Sequence, residues 1–224
     1  MDKLRDDTLL KRELVSRYIL PALGLLLPTD APLTVDIATC CRRIAVRRYE
    51  VLATPGHWHQ GYAYWFEHAL AHSYYLEEPS DRQPLELLTS SKPFLDAEAV
   101  LYREERYAYL QALESGVGLR ITYPSIRALM AKHPELRTAV QQFGRLQDEA
   151  FRALDHYHRL SAHERIDRFA DRFGTLLHRL TLDIQLLHIR VNDDLFRNYM
   201  RAKGRRYTSL RLHKRAMNTP NGGG

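Results

Sequence analysis

One long stretch in the second half of the chain, residues 135–160, constrains the fold more than any other feature, because its pattern predicts a single uninterrupted helix. Apolar side chains, with one glutamine, recur along it at alternating intervals of four and three residues: Leu136, Val140, Phe143, Gln147, Ala150, Leu154 and Tyr157. This spacing is typical of a coiled-coil seam. The lone helix has little else to pack against, so we predict that a second copy covers it in a homodimer, through Leu136, Val140, Phe143, Gln147, Leu154 and Tyr157. The alternative is a helix packed on its own domain.

The region before this helix has the character of a β-sheet domain. From residue 43 to 121, short segments rich in Val, Tyr, Trp and Leu are separated by turn residues. Tyr62, Tyr64 and Phe66 alternate along one of them, which is the periodicity of a strand. Short strands at regular spacing predict a sandwich, barrel or jelly roll. An amphipathic helix over residues 8–27 precedes this region, so the fold class is predicted to be α+β with an N-terminal β jelly roll.

The region after the helix is predicted to be helical and basic. Ser161 and Glu164 form a capping-box pattern that starts one helix, and Asn192 is placed to cap another. Two short helices joined by a tight connection, over residues 182–189 and 193–203, predict a helix-turn-helix unit. No acidic residue follows Asp194, although eight basic residues do: Arg197, Arg201, Lys203, Arg205, Arg206, Arg211, Lys214 and Arg215.

This basic end indicates a polyanionic partner, and double-stranded DNA is the predicted one. Arginine and asparagine are the side chains suited to guanine and adenine edges, and basic residues contact phosphates. The predicted DNA contacts are Asn192, Arg197, Asn198, Arg201, Lys203, Arg205 and Arg206. A helical bundle with polar faces and a solvated basic tail is the alternative.

The order of these parts, together with four segments, resembles the Crp/Fnr family of bacterial transcription regulators, and most closely its divergent branch common in Bacteroidetes. Tyr109–Glu114 is similar to the strand that closes the family's effector domain, and Leu129–Leu136 to the entry of its dimer helix. Leu160–Ile166 resembles the start of its DNA-binding domain, and Leu186–Met200 covers its helix-turn-helix. The resemblance spans about residues 35–205 of the chain and implies a homodimer with one recognition helix per subunit in successive major grooves.

The domain organisation that follows has four parts. Residues 1–134 are expected to hold the N-terminal helix and a cyclic-nucleotide-binding-like β-roll, and residues 135–160 the dimerisation helix. Residues 161–215 are expected to form a winged helix-turn-helix domain, and residues 216–224 a disordered tail.

The resemblance also raises the question of an effector. Nucleotide-binding members of the family hold the ribose with a Gly-Glu pair and the cyclic phosphate with an Arg-Ser/Thr-Ala segment. Here those positions are Asp96-Ala97 and Arg106-Tyr107-Ala108. A carboxylate and a bulky ring replace groups that would bind an anion, so cyclic nucleotide binding is not expected. Arg106 and Tyr107 remain the candidate ligand-binding residues for an unknown small molecule.

The predicted helix-turn-helix departs from the family pattern at several positions. Arg190 occupies the turn position usually held by glycine, Leu186 replaces the small residue facing it, and Gln185 replaces a hydrophobic residue. The family's Ser-Arg pair is here Arg197-Asn198. These differences leave open an alternative function, a family member that binds a small molecule or protein partner without sequence-specific DNA binding.

No catalytic motif is present, so an enzyme is not predicted. A third hypothesis, an enzyme built on a jelly roll, would need a metal held by His57 and His59 on one face of a strand. Cys40 and Cys41 are the only cysteines and are adjacent, so neither a disulfide framework nor a cofactor is expected. No apolar run is long enough to cross a membrane, and a cytoplasmic location is the expectation.

Overall fold

The computed structural model describes residues 2–78, 81–89 and 92–203. In chain order it contains an N-terminal group of helices, a β-sheet unit, a long helix and a small helical unit. The strands are β1 (Arg42–Val46), β2 (Val51–Ala53), β3 (Tyr62–Phe66), β4 (Ala71–Glu78), β5 (Asp81–Leu88), β6 (Tyr109–Ala112) and β7 (Gly116–Thr122). The predicted combination of helices with antiparallel sheets is confirmed.

The strands form two antiparallel sheets. One has the order β1-β7-β3 and the other the order β2-β6-β4-β5. Tyr64 and Phe66, from the alternating segment that predicted a strand, lie buried in β3. They pack with Leu88 of β5 and Leu110 of β6 in an apolar core, so the two sheets enclose side chains from both.

Gly118 lies in β7, between β1 and β3, where the chain leaves no room for a side chain. A Cβ atom at this position would stand 2.4 Å from the carbonyl oxygen of Trp65. Because a backbone atom of a paired strand cannot move aside cheaply, we expect Gly118→Ala to lower the free energy of unfolding by about 1–3 kcal/mol. Gly174→Ala is the matched control, since a Cβ there meets nothing within 4 Å. Equal urea midpoints for the two variants would contradict this reading of the β7 packing.

The helices are α1 (Asp2–Leu14), α2 (Leu20–Ala22), α3 (Pro32–Cys40), α4 (Ala97–Tyr102), α5 (Tyr123–Lys132), α6 (Pro134–His158), α7 (Ala162–Phe173), α8 (Leu182–Ile189) and α9 (Asp193–Ala202). A π-helical turn, Val15–Ile19, joins α1 to α2. The expectation of a strand carrying His57 and His59 is wrong: Trp58–Gln60 is a turn of 3₁₀-helix. The two imidazoles stack there with their centroids 5.5 Å apart.

The first half of α6 packs against its own chain, which corrects the predicted dimer contacts in that half. Leu136, Val140 and Phe143 are at most 6% exposed within a single chain. They belong to the core that also buries residues of α4 and α5. Side chains already buried in one chain cannot supply the apolar area of a dimer interface. The alternation of four and three is a true helical face, but this face points inward.

In the second half of α6, residues of the predicted seam also make contacts within their own chain. The side-chain amide of Gln147 donates a hydrogen bond to the carbonyl of Leu95 at 2.7 Å. The hydroxyl of Tyr157 donates to the carbonyl of Arg165 at 2.9 Å, and Leu154 is half-buried. Gln147 and Tyr157 are therefore occupied by hydrogen bonds within their own chain, whereas Leu154 lines an open cleft.

The exposed apolar residues of α6 form a different stripe along its second half. This α6 stripe consists of Leu146, Ala150 and Ala153, all exposed. Leu146 is 60% exposed. Residues spaced four and then three apart lie on one side of a helix, so the stripe is continuous.

The helical unit after α6 shares a hydrophobic core with the second sheet. From the sheet unit come Leu70, Leu87 and Leu113, and from the helical unit come Ile166, Phe169, Leu180, Ile184, Ile189, Phe196 and Met200. Polar contacts cross the same junction: Arg179 donates from Nε to Oε1 of Glu114 at 3.0 Å and from Nη2 to the carbonyl of His68 at 2.6 Å. The helical unit is thus docked on the sheet by both apolar and ionic contacts.

Candidate nucleic-acid interface and effector cleft

Helices α8 and α9 are joined by a tight turn, as the sequence predicts for residues 182–203. Thr181 caps α8 through its hydroxyl, and Asn192 caps α9, with Oδ1 accepting a hydrogen bond from the amide of Leu195 at 2.8 Å. Between the helices, Arg190 adopts the left-handed conformation with φ of 56°. This conformation is costly for a residue with a side chain, which explains why glycine is the usual residue there.

One side of α9 is buried and fixes which residues the other side presents. Phe196 and Met200 are buried against the helical unit. Tyr199 donates its hydroxyl hydrogen bond to Asp167 of α7 at 2.6 Å and stacks on His163 with ring centroids 4.5 Å apart. These contacts hold α9 at a fixed rotation, so its outer face is defined.

That outer face carries three of the predicted DNA contacts. Arg197, Asn198 and Arg201 are exposed. Arg201 follows Asn198 by three residues and Arg197 by four, so it lies beside both on one side of the helix. Asp194 is exposed beside them, and Arg197 forms an ion pair with Asp193 one turn earlier. The structure therefore brings the predicted arginines and asparagine together on one surface, with acidic residues at the helix N-terminus.

The remaining predicted DNA contacts are placed differently. The side-chain oxygen of Asn192 is engaged in capping α9. Lys203 is exposed and its ammonium group lies 3.1 Å from Oδ2 of Asp167; hydrogen bonds to Tyr199 and Asp167 raise its pKa. Arg205 and Arg206 lie outside the described residues, as does the region expected to form a wing.

The unusual residues of the turn region have structural roles. Gln185 is fully buried and its amide donates to the carbonyls of Leu177 and Leu180, each at 3.1 Å. Leu186 packs at the edge of the core that the helical unit shares with the sheet. The amide nitrogen of this buried residue is thus paired with backbone carbonyls, whereas its Oε1 has no hydrogen-bond partner among the described residues.

Arg165 of α7 ties together the end of α6, α7 and the α8–α9 turn. Its guanidinium donates to four carbonyls, those of His158, Leu160, Ile189 and Arg190, at 2.8 to 3.0 Å. The sequence gives no signal for this role, because a single arginine in the first turn of a helix belongs to no recognisable motif. Only the folded chain shows that this side chain contacts both the segment before α7 and the turn between α8 and α9.

The two segments identified from the resemblance as the nucleotide-site positions meet at a cleft of about 310 Å³ between α4 and α6. Asp96, Ala97, Tyr107 and Ala108 line it. Asp96 caps α4 by accepting a hydrogen bond from the amide of Ala99 at 2.9 Å. The sequence positions therefore converge in space as the resemblance implies.

The ionisable groups at this cleft are mostly carboxylates. Burial raises the pKa of Tyr107 to about 12, and the carboxylates of Asp96, Glu98 and Asp148 add to the shift. Burial also raises the pKa of Asp96 itself, against the opposing charge of Arg106. Arg106 is 8% exposed, does not line the cleft, and its Nε has no hydrogen-bond partner. Four acidic residues and one basic residue, Arg145, line the cleft, so its net charge is unfavourable for a phosphate.

A cluster of buried histidines at the domain junction was missed by sequence reasoning. His72 of β4 and His188 of α8 lie with ring centroids 5.7 Å apart. Burial lowers the pKa of His72 to about 4 and that of His188 well below its usual value. Nε2 of His72 lies 3.1 Å from Oε1 of Gln111, whereas Nδ1 of His72 and Nε2 of His188 have no partner. Histidines so far apart in sequence give no signal before folding.

Within residues 2–78, 81–89 and 92–203, no group of three or more His, Cys, Asp or Glu side chains is arranged to hold a metal ion. In the same ranges, no helix combines the length and apolar character required to cross a membrane.

Comparison with known protein families found no matching family model, and no curated protein matched the sequence. Solved structures did match. FixK2 from Bradyrhizobium japonicum superposes with a TM-score of 0.64 at 11% identity, covering 73% of this chain and 86% of its own. The c-di-GMP-responsive global regulator CLP of Xanthomonas campestris gives a TM-score of 0.63 at 13% identity, covering 82% and 99%.

A transcriptional regulator from Eubacterium rectale assigned to the Crp/Fnr family gives a TM-score of 0.63 at 9% identity, covering 78% of this chain and 83% of its own. These structural neighbours are regulators of the Crp/Fnr type, and such regulators are not enzymes. At these identities the likeness shows the fold alone, so the predicted combination of helices and antiparallel sheets in a Crp/Fnr-like fold is confirmed, and the winged helix-turn-helix stays a prediction.

Proposed function

We propose that this protein is a Crp/Fnr-like transcription regulator that binds double-stranded DNA as a homodimer. The observation that carries the proposal is the outer face of α9, where Arg197, Asn198 and Arg201 are exposed on a helix whose other face is fixed by Phe196 and Met200. The fold shared with regulators of this type supports the same role. Such a role places the protein in the cytoplasm.

In this proposal α8 and α9 form the helix-turn-helix and α9 enters the major groove. Arg197 and Arg201 are suited to guanine edges or phosphates, and Asn198 to an adenine edge. Residues 1–134 serve as the sensor, residues 135–160 as the dimerisation helix and residues 161–215 as the DNA-binding domain. Lys203, Arg205 and Arg206 extend the basic surface toward the phosphates.

Selection of bound sequences from a random duplex pool tests the proposal, followed by affinity measurements at several salt concentrations. We expect Arg197→Ala with Arg201→Ala to weaken binding to the selected sequence at least about tenfold and to reduce the salt dependence. The matched control is Arg137→Ala with Arg152→Ala, which removes the same charge from exposed positions on α6. Failure to retain any duplex at low salt, or equal losses from the two double variants, would reject the proposal.

The dimer surface we propose is the α6 stripe, since the predicted seam is occupied within the chain. A carboxylate placed in a tightly packed helix pair is costly. We therefore expect Leu146→Glu to shift the chain from dimer to monomer in sedimentation equilibrium, with an association constant at least tenfold weaker. Leu9→Glu is the control, because Leu9 is 54% exposed on α1. An unchanged dimer in the Leu146 variant would place the interface elsewhere.

We further propose that DNA binding does not depend on a cyclic nucleotide. Asp96 occupies a position where the nucleotide-binding members carry Gly-Glu, and the carboxylates of Glu98 and Asp148 lie near Tyr107. A phosphate placed beside these groups would be repelled. Cyclic AMP added to the DNA-binding measurement is expected to leave the affinity unchanged.

The second candidate is a protein of this fold that binds a small molecule or a protein partner without sequence-specific DNA binding. The ion pair between Asp193 and Arg197, beside the exposed Asp194, favours it because it lowers the positive charge at the start of α9. Duplex binding with no enrichment of any sequence in the selection would support this candidate.

A further inference from the structure

A second cleft lies at the junction of β5, α6 and α7 and is separate in character from the acidic cleft beside α4. Its volume is about 630 Å³, which is within the range of sites that hold small organic molecules. Most of its walls are apolar or aromatic, including Leu87, Phe151, Leu154, Tyr157, Phe169 and Phe173. The three elements that form it belong to the sheet unit, the long helix and the helical unit.

The charged residues that line this cleft are predominantly basic. Lys92, Arg168 and Arg172 are cationic, and Glu86 is the single acid among the lining residues. Glu86 is already paired with Lys92. Arg168 and Arg172 are exposed on successive turns of α7. The charge of Arg168 also acts on Glu164, which does not line the cleft, and Arg172 lies over the ring of Phe173. The net charge of the residues that line the cleft is therefore positive.

A buried polar atom without a partner lies at the same cleft. His188 lines it and is 7% exposed, yet Nε2 of this imidazole has no hydrogen-bond partner. Leaving such a buried atom unpaired costs free energy, and a bound molecule with a hydroxyl or carbonyl group would satisfy it.

We propose that this cleft binds an organic anion with an apolar or aromatic body. The acidic group of the ligand contacts Arg168 and Arg172 at the mouth, the body packs on Leu154 and Phe169, and a polar group pairs with His188. The acidic cleft beside α4 has the opposite charge and would not take this ligand.

A second copy of the chain is a poorer occupant of this cleft. The α6 stripe, proposed above as the dimer surface, forms one border of the cleft, since Leu146, Ala150 and Ala153 all line it. A second copy on the stripe would therefore flank the cleft, but the stripe is uncharged and offers nothing to Arg168 and Arg172. The stripe also has no polar side chain for the unpaired nitrogen of His188. A molecule that carries a carboxylate or sulfonate at one end and a second polar group on its body satisfies both.

A ligand in this position would touch the sheet unit, α6 and the helical unit at once. It would therefore bind the docked arrangement of the helical unit more tightly than an undocked one and shift the population toward docking. Any change in DNA affinity that follows from this shift rests on the proposed function, whereas binding of the ligand to the cleft does not.

Anilinonaphthalene sulfonate, a fluorescent aromatic anion, is the probe that tests the proposal with the full chain and no DNA. We expect one saturable site per chain. Arg168→Gln with Arg172→Gln should weaken binding about tenfold, since both charged contacts are lost. Leu154→Trp, which fills the cleft, should remove the saturable signal. Decanoate should compete with the probe, and decylamine of the same chain length should not.

The control is Arg137→Gln with Arg152→Gln, which changes the charge equally at exposed positions that do not line the cleft. Equal affinity loss in both double variants, or unsaturable binding that Leu154→Trp leaves intact, would overturn the proposal. So would probe binding that appears only when the dimer dissociates, because the cleft would then be a surface between copies. If Leu154→Trp does not fold, the comparison of the two double arginine variants still tests the proposal, because all four arginines are exposed. Loss of DNA binding alone would count against the proposed function and not against this site.

Discussion

Arg165→Ala is expected to lower the free energy of unfolding by about 3 kcal/mol, because four backbone carbonyls lose their charged donor at once. In a chain of this length such a loss corresponds to a fall in Tm of about 10 °C. The carbonyls of Ile189 and Arg190 belong to the α8–α9 turn, so the turn should loosen first. Hydrogen exchange at the amides of α9 should accelerate more than exchange in the sheets.

Arg168→Ala is the matched control, since Arg168 is an exposed arginine on the same helix, and the four hydrogen bonds described above all come from Arg165. Its thermal midpoint should stay close to that of the parent protein. Arg165→Lys should recover little, because a single ammonium group cannot reach carbonyls on both sides of the unit. Equal midpoints for Arg165→Ala and Arg168→Ala would show that water replaces the four hydrogen bonds without cost.

Acidification from pH 7.5 to pH 5 is expected to destabilise the protein by at least about 2 kcal/mol through the buried His72, and other buried histidines act in the same direction. The pKa of His72 is lowered to about 4 in the folded chain by burial. In the unfolded chain it returns to about 6.5. Below pH 6.5 the unfolded chain therefore binds protons that the folded chain excludes. Stability is complete above pH 6.5 and is lost as the pH falls toward 4.

At pH 5 the contribution of His72 alone is about 2 kcal/mol, since one pKa unit corresponds to about 1.4 kcal/mol. His188 acts in the same direction, because burial and the neighbouring His72 and His158 lower its pKa further. His158 also contributes, as burial and the charges of Arg190 and Arg165 lower its pKa to about 4, against Asp155. The raised pKa of Asp96 opposes this trend, since the folded chain binds that proton more readily.

Urea denaturation at both pH values measures the effect, with His72→Leu as the test variant and His59→Gln as the control at an exposed position. The His72 variant should lose about 2 kcal/mol of the pH dependence, and the His59 variant should keep the pH dependence of the parent protein. If the parent protein is equally stable at pH 7.5 and pH 5, the junction admits water and the histidines are not buried in solution.

Local patterns in the sequence predicted much of the fold. The capping box at Ser161 and Glu164 is present with both of its hydrogen bonds. The alternation of Tyr64 and Phe66 marks a true strand, and Asn192 caps α9 as expected. Each of these features depends on neighbours within a few residues, which is the range over which periodicity and capping act.

The sequence could not show which partner covers a given apolar face. The face of α6 that includes Leu136 and Val140 has the spacing of a coiled coil, yet α4 and α5 cover it within the chain. The spacing of apolar residues shows that one face of a helix is buried, but it does not show which element covers that face. The proximity of His72 and His188 could not be predicted for a related reason. The two histidines come from distant elements, and their contact depends on how the helical unit docks.

The core shared by Leu70, Leu87 and Leu113 with the helical unit bears on how this chain can be divided. A boundary at residue 160 separates two segments of sequence, but it cuts through one body of apolar side chains. A fragment ending there would leave three leucines in water, and a fragment starting there would lose part of its interior. A chimaera that exchanges the helical unit for that of another protein of this fold must therefore carry a matching sheet surface. Recombination at this boundary depends on how well the two surfaces pack and not only on where the chain is joined.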